Sequence, residues 1–164
     1  MNAVTVDVFD KAVRDFFAPI AEQCGLQIVR ISDGLYEIPS SHCNMRIQLG
    51  IGHSKGLSVT LCPAQKCSEN SNGWDTEIGL PVIAKYNGYE IQFEYVGTAT
   101  EHRLQASNLS SLAKIYCVPY LLGNKSDLAE IQAFVEKAIE ESGIQHKKWN
   151  FPKNVREEWP LPED

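Results

Sequence analysis

The residues best suited to chemistry are five cysteines and four histidines, and several of them gather in the first half of the chain. His42 and Cys43 are adjacent, His53 follows, and Cys62 and Cys67 bracket the stretch "CPAQKC". Two chemistries draw on such residues. A structural zinc ion takes four thiolate or imidazole ligands in a tetrahedron. A thiol nucleophile needs a base or cation beside it to become a thiolate near neutral pH. For zinc, "CPAQKC" stands alone, without a matched second cysteine pair or a closely spaced histidine pair. For the nucleophile, Cys43 or Cys67 would need His42, His53 or His102, and no local motif such as a nucleophile elbow sets up that pairing. Cys24 and Cys117 sit among apolar residues of helical segments and read as core. The sequence therefore predicts no catalytic residue, no metal ligand and no cofactor. The rival expectation is a thiol- or zinc-dependent hydrolase built on Cys43, Cys62 and Cys67.

The carboxylate pairs Asp75/Glu77 and Glu90/Glu94 could exchange protons with a substrate. Their surroundings are polar, so a solvated surface or an acidic patch facing a partner is the simpler reading. "GIGHSKG" contains glycines but joins two strand-like runs instead of opening a helix, so it is a hairpin connection and not a phosphate loop. The tryptophans are the costlier residues to place in polar sequence. Trp74 lies beside Asp75 and Glu77, while Trp149 and Trp159 lie in the proline-rich tail "IQHKKWNFPKNVREEWPLPED". Tryptophan is a favoured anchor of protein interfaces. Trp74, Asp75, Glu77, Glu90, Glu94, Trp149 and Trp159 are thus the expected partner-binding residues, with the tail folding back on its own domain, serving as an arm, or disordered in its last few residues.

The elements that must position these residues follow from periodicity. "VFDKAVRDFFAPIAEQCGL" places Val8, Ala12, Phe16 and Ile20 on one helical face, kinked or delimited by Pro19. "LQIVRISDGLYEI" predicts a hairpin turning at Asp33–Gly34, with Ile31 opposite Tyr36, Arg30 opposite Glu37 and Val29 opposite Ile38. "CNMRIQL" and "LSVTL" alternate, with Met45, Ile47 and Leu49 on one face and Leu57, Val59 and Leu61 continuing the pattern; a sheet with one wet face reads this way. Residues 63–77 predict a long loop. "PVIAKYNGYEIQFEY" predicts a second hairpin turning at Asn87–Gly88. A helix from Asn108, strained at Pro119 and stopped by Gly123, precedes a third helix in "SDLAEIQAFVEKAIEESG". The sum is α+β: an antiparallel sheet of about six strands with an N-terminal helix and two C-terminal helices packed on its apolar face. The predicted organisation is one domain over 1–143 and an extended tail over 144–164.

The 164 residues carry a net charge of −6, which argues against a nucleic-acid binder. No run reaches the roughly 18 apolar residues of a membrane span. The first residues lack a basic stretch followed by an apolar one, and the cysteines are odd in number and scattered. These features predict a cytoplasmic chain with reduced thiols.

In layout, the helix and hairpin "FDKAVRDFFAPIAEQCGLQIVRISDGLYEI", the alternating strands and the closing "SDLAEIQAFVEKAIEESG" helix resemble bacterial immunity proteins of polymorphic or contact-dependent toxin systems. The N-terminal half also resembles type III secretion chaperones, from which the long middle loop and tryptophan-bearing tail depart. Both resemblances imply stoichiometric protein binding. An immunity protein would cover a toxin's active site, and a basic toxin domain would suit the acidic residues above through charge complementarity.

Overall fold

Thr5 opens the first helix: its side chain accepts the Val8 amide hydrogen bond at 3.2 Å, and helix α1 runs Val6–Phe16. The computed structural model describes residues 3–50, 55–63, 77–92 and 94–142. The chain divides into two compact units, Met1–Leu128 and Ala129–Asp164. In α1 the apolar face carries Phe9, Ala12 and Val13, all fully buried. Pro19 does not kink this helix. It occupies the first turn of a separate short helix, α2 (Ala18–Gln23), where its missing N–H costs nothing.

The strands are β1 (Val29–Ser32), β2 (Leu35–Pro39), β3 (Cys43–Leu49), β4 (Leu57–Pro63) and β5 (Ile78–Gly79). They form one antiparallel meander in the order β1-β2-β3-β4-β5. Alternation decides the faces, as expected for β3 and β4. Cys43, Met45, Ile47, Leu57, Val59 and Leu61 are buried, while Asn44, Arg46 and Thr60 are half-buried and Gln48 and Ser58 exposed. The Asp33–Gly34 turn is present, with Gly34 at φ +79°, a conformation that favours glycine. The register beyond it differs from expectation. Ser32 does face Leu35, but Arg30 faces Tyr36 and Val29 faces Glu37, because an irregularity between Arg30 and Ser32 skips Ile31. Arg30 is freed from Glu37 and instead meets Asp33 at 2.8 Å and Asp10 at 3.5 Å. Its strand is exposed throughout, with Val29 and Ile31 on the surface.

The second hairpin is replaced by a helix. Residues Leu80–Tyr86 form α3, Pro81 lies in its first turn, and among the described residues the sheet has five strands, the last being Ile78–Gly79. Asn87–Gly88 ends that helix rather than turning a hairpin. Gly88 has φ +93°, its N–H bonds to the Lys85 carbonyl at 3.0 Å, and the Tyr89 N–H bonds to the Ala84 carbonyl at 2.9 Å. That pair of bonds is a Schellman stop. The next helix begins nine residues before the expected Asn108. Helix α4 (Ala99–Tyr116) opens on a reciprocal capping box between Thr98 and Glu101. Pro119 again starts a new short helix, α5 (Val118–Leu121). Helix α6 (Leu128–Ser142) follows where expected, with Ile131 fully buried. The expected tail over 144–164 lies outside the described residues.

Within Met1–Leu128, α1, α4 and α5 pack on the sheet's apolar face and α1 packs on α4. Phe9 stands at the junction, its ring 5.8 Å from that of Tyr36 on β2 and 6.0 Å from that of His102 on α4. Arg103 joins the same two helices on their outer side. It binds Asp15 at 2.8 Å and lies 5.1 Å from the centre of the Phe16 ring.

Candidate functional site

Among the described residues the thiols and imidazoles form no metal-binding group. Cys43 is 1% exposed, and burial pushes its thiol up to about 11. Cys117 is fully buried, and burial together with the neighbouring Cys43 raises its thiol further. Both are protonated near neutral pH and behave as small apolar groups. Cys24, Cys43 and Cys117 carry free thiols, whereas Cys62 is disulfide-bonded, which departs from the expected all-reduced set. His42 is exposed with its ring over Gly123. His53 and Cys67 lie outside the described residues. Among the described residues no group of three or more His, Cys, Asp or Glu side chains is placed to hold a metal ion.

His102 lies inside the helix layer instead of beside a cysteine. Its Nδ1 is 2.8 Å from the Lys55 carbonyl oxygen, so that nitrogen carries the proton and donates it. Nε2 has no hydrogen-bond partner among the described residues. Burial lowers the pKa of the ring, an effect to which the Arg103 charge adds and which the Lys55 contact opposes. The unfolded chain therefore binds a proton more readily than the folded one between the ordinary value of 6.5 and the depressed folded value. Stability that is full above 6.5 falls as the pH drops through that window. Urea titrations at stepped pH should show this loss, and His102→Phe should flatten it.

Of the expected partner-binding residues, Glu77 and the pair Glu90/Glu94 fall in different settings. Trp74, Asp75, Trp149 and Trp159 lie outside the described residues. Glu77 immediately precedes β5 and is tied to the wet face of the sheet. Thr60 Oγ1 donates to Glu77 Oε1 at 2.7 Å, and Arg46 approaches Oε2 at 3.9 Å. Arg46 also binds Glu37 at 2.9 Å. The register explains the grouping, since Glu37, Arg46 and Thr60 occupy one row across β2, β3 and β4. Two carboxylates share one guanidinium there, leaving a local negative charge in a half-buried setting.

Glu90 and Glu94 are exposed, but not on the sheet. They lie on the irregular segment that leaves α3 and returns to α4. This segment and α4 enclose a groove of about 360 Å³. Tyr89, Ile91 and Glu94 line one side and Asn108, Leu109 and Leu112 the other. The Tyr89 ring stacks on that of Tyr116, with centroids 6.0 Å apart. Gln105, also in the groove, is held by accepting the Leu57 N–H at 2.8 Å, which ties this part of α4 to β4. Tyr95, Leu104 and Ile115 are respectively 62%, 60% and 61% exposed. Leu104, Asn108, Ser111 and Ile115 recur at helical spacing, so the apolar pair continues the α4 side of the groove onto the surface.

An exposed, partly apolar groove with an acidic margin can hold a chain segment. Comparison with known protein families, curated proteins and solved structures finds no match. The fold and the site therefore rest on their own geometry. No helix among the described residues is long and apolar enough to cross a membrane. The groove was hidden from sequence reasoning because it depends on α3 replacing a hairpin. In sequence the alternating "GYEIQFEY" reads as a strand, whereas its described residues belong to none of the five strands.

Proposed function

We propose that this is a non-catalytic protein-binding protein, and specifically an immunity protein that neutralises a cognate toxin by one-to-one binding. The groove lined by Tyr89, Ile91, Leu109 and Leu112 is the observation that carries this reading. Concave, partly apolar surface marks interaction sites, and aromatic residues such as Tyr89 contribute disproportionately to binding energy. Glu90 and Glu94 supply charge that would speed association with a basic toxin domain. The layout-level resemblance to immunity proteins supplies the toxin part of the proposal, and Trp74, Asp75, Trp149 and Trp159 are its further candidate contacts. The hydrolase alternative finds no support in Cys43, whose thiol is buried and protonated.

Affinity capture from the native cells, followed by native mass spectrometry, should find one heterologous protein at one copy per chain. Expression of that protein alone should be toxic and co-expression harmless. In the double variant Glu90→Lys/Glu94→Lys, association with it should slow by about tenfold or more at low salt, with a smaller effect at high salt. Unchanged association kinetics would remove this surface from the proposal, and a harmless partner would remove toxin neutralisation.

A further inference from the structure

The groove of about 360 Å³ is at the small end of ligand pockets, with room for a side chain and its neighbours rather than a folded element. Its walls favour one kind of occupant. Among the described lining residues Glu94 is the one that carries a charge. Its exposed carboxylate has no ion-pair partner among the described residues. By contrast, Arg46 engages Glu37 and Glu77, and Glu101 is spent on its helix cap. The polar groups on the α4 side can accept hydrogen bonds. Ser111 commits its hydroxyl proton to the Ser107 carbonyl at 3.2 Å, which leaves its oxygen lone pairs, and Asn108 can present its side-chain carbonyl. Tyr89 brings an aromatic ring held by its stack on Tyr116, which does not itself line the groove. Leu109 and Leu112 add apolar wall.

We propose that this groove is the subsite for an arginine side chain of the partner protein, whose apolar neighbours lie on Leu109 and Leu112. The inference rests on the protein-binding reading and deepens it by naming the residue that anchors the partner. A guanidinium has only N–H donors and no acceptor, which suits walls made of one carboxylate and several accepting groups. It is planar and weakly hydrated, so it can stack on Tyr89 while pairing with Glu94. Lysine keeps the charge but loses the fork and the stacking. An acidic side chain would be repelled by Glu94, and a wholly apolar one would cover that carboxylate without replacing its water. Arginine is also among the residues that dominate interface energies.

The test titrates the full chain with end-blocked peptides in which leucine and serine flank a central arginine, lysine or citrulline, read by NMR of the backbone amides. The arginine peptide should shift the amides of Tyr89, Glu94 and residues 108–112. It should bind about fivefold or more tightly than either the lysine or the citrulline peptide. Citrulline keeps the planar shape and removes the charge, so Glu94→Gln should erase the preference for arginine over citrulline. Tyr89→Leu should erase the preference over lysine. Glu94 is exposed, so its variant folds and decides the matter even if the Tyr89 variant does not. Absence of binding, equal binding of citrulline, or an arginine preference that survives Glu94→Gln would each overturn the proposal. So would agmatine binding as tightly as the arginine peptide, which would assign the groove to a free guanidine, or self-association of the chain through the groove. The two readings fail separately. A captured partner that binds Glu94→Gln and the parent chain equally well refutes the arginine subsite alone, while a selective arginine peptide without any captured partner refutes the toxin-binding function alone.

Discussion

Phe9→Ala should lower the unfolding free energy of the full chain by about 3–5 kcal/mol, read from urea denaturation followed by circular dichroism. Phe9 is fully buried and touches three elements at once: its own helix α1, Tyr36 on β2 and His102 on α4. Truncation removes the transfer free energy of a large aromatic side chain and leaves a cavity where three rigid elements meet, so collapse cannot fill it cheaply. Phe9→Leu, which keeps most of the volume, should cost less than about 1.5 kcal/mol. A full-sized loss in the leucine variant would mean that ring contacts rather than volume hold the junction. A loss below about 1 kcal/mol in the alanine variant would mean that α1 does not pack as described.

The second large effect concerns the glycines that end the short helices. Gly25 and Gly123 have φ +69° and +77°, in the left-handed region that side chains carrying a Cβ disfavour by about 1–2 kcal/mol. Each closes a Schellman stop: Leu26 N–H to the Ala21 carbonyl at 2.8 Å in one case, Asn124 N–H to the Pro119 carbonyl at 2.8 Å in the other. Their surroundings differ. A Cβ at Gly25 would meet nothing within 4 Å, whereas at Gly123 it would come within 2.6 Å of the His42 ring. Gly25→Ala should therefore show the backbone cost alone. Gly123→Ala should show that cost plus the displacement of an exposed imidazole, and adding His42→Ala should bring the two sites level. Thermal denaturation of the four proteins measures this directly; equal losses at the two glycines without the His42 change would contradict the close approach.

These glycines also show which parts of the fold were legible in the sequence. Pro followed some residues later by Gly recurs as Pro19–Gly25, Pro81–Gly88 and Pro119–Gly123, and each pair brackets one short helix. Proline suits the first helical turn and glycine the position past the end. At Pro19 and Pro119 the same residues read as kinks in longer helices, and at Pro81 the signal was outweighed by Asn87–Gly88, whose preference for positive φ serves a hairpin turn and a helix stop alike. Strands β3 and β4 were readable because one face is wet and the other buried, so that Met45 and Ile47 must alternate with Arg46 and Gln48. The irregularity at Ile31 was not readable, since it moves apolar side chains to an exposed edge against their own pattern. The start of α4 at Thr98/Glu101 was available as a capping box, but its first two turns contain His102 and Arg103, whose positions are set by Phe9, Lys55 and Asp15 from elsewhere in the chain.

The candidate site was legible only in pieces. Glu90 and Glu94 stand out in sequence as carboxylates on the polar face of an alternating run; in the structure both are exposed but lie on no strand. Their relation to Leu104, Asn108 and Ile115 was not visible, because it arises from α4 lying alongside a segment that leaves α3. Glu77 was grouped with Trp74 and Asp75 by adjacency in sequence, whereas its carboxylate is engaged by Thr60 and Arg46 through the strand register.

The account stands on the claim that a partner covers the groove between residues 89–95 and α4. Hydrogen exchange of the full chain, alone and in complex with the captured partner, tests it most directly. Protection should concentrate at residues 89–95 and along the face of α4 carrying Leu104 and Ile115. Protection confined to the exposed strand Val29–Ser32, with residues 89–95 exchanging as they do in the free chain, would contradict it.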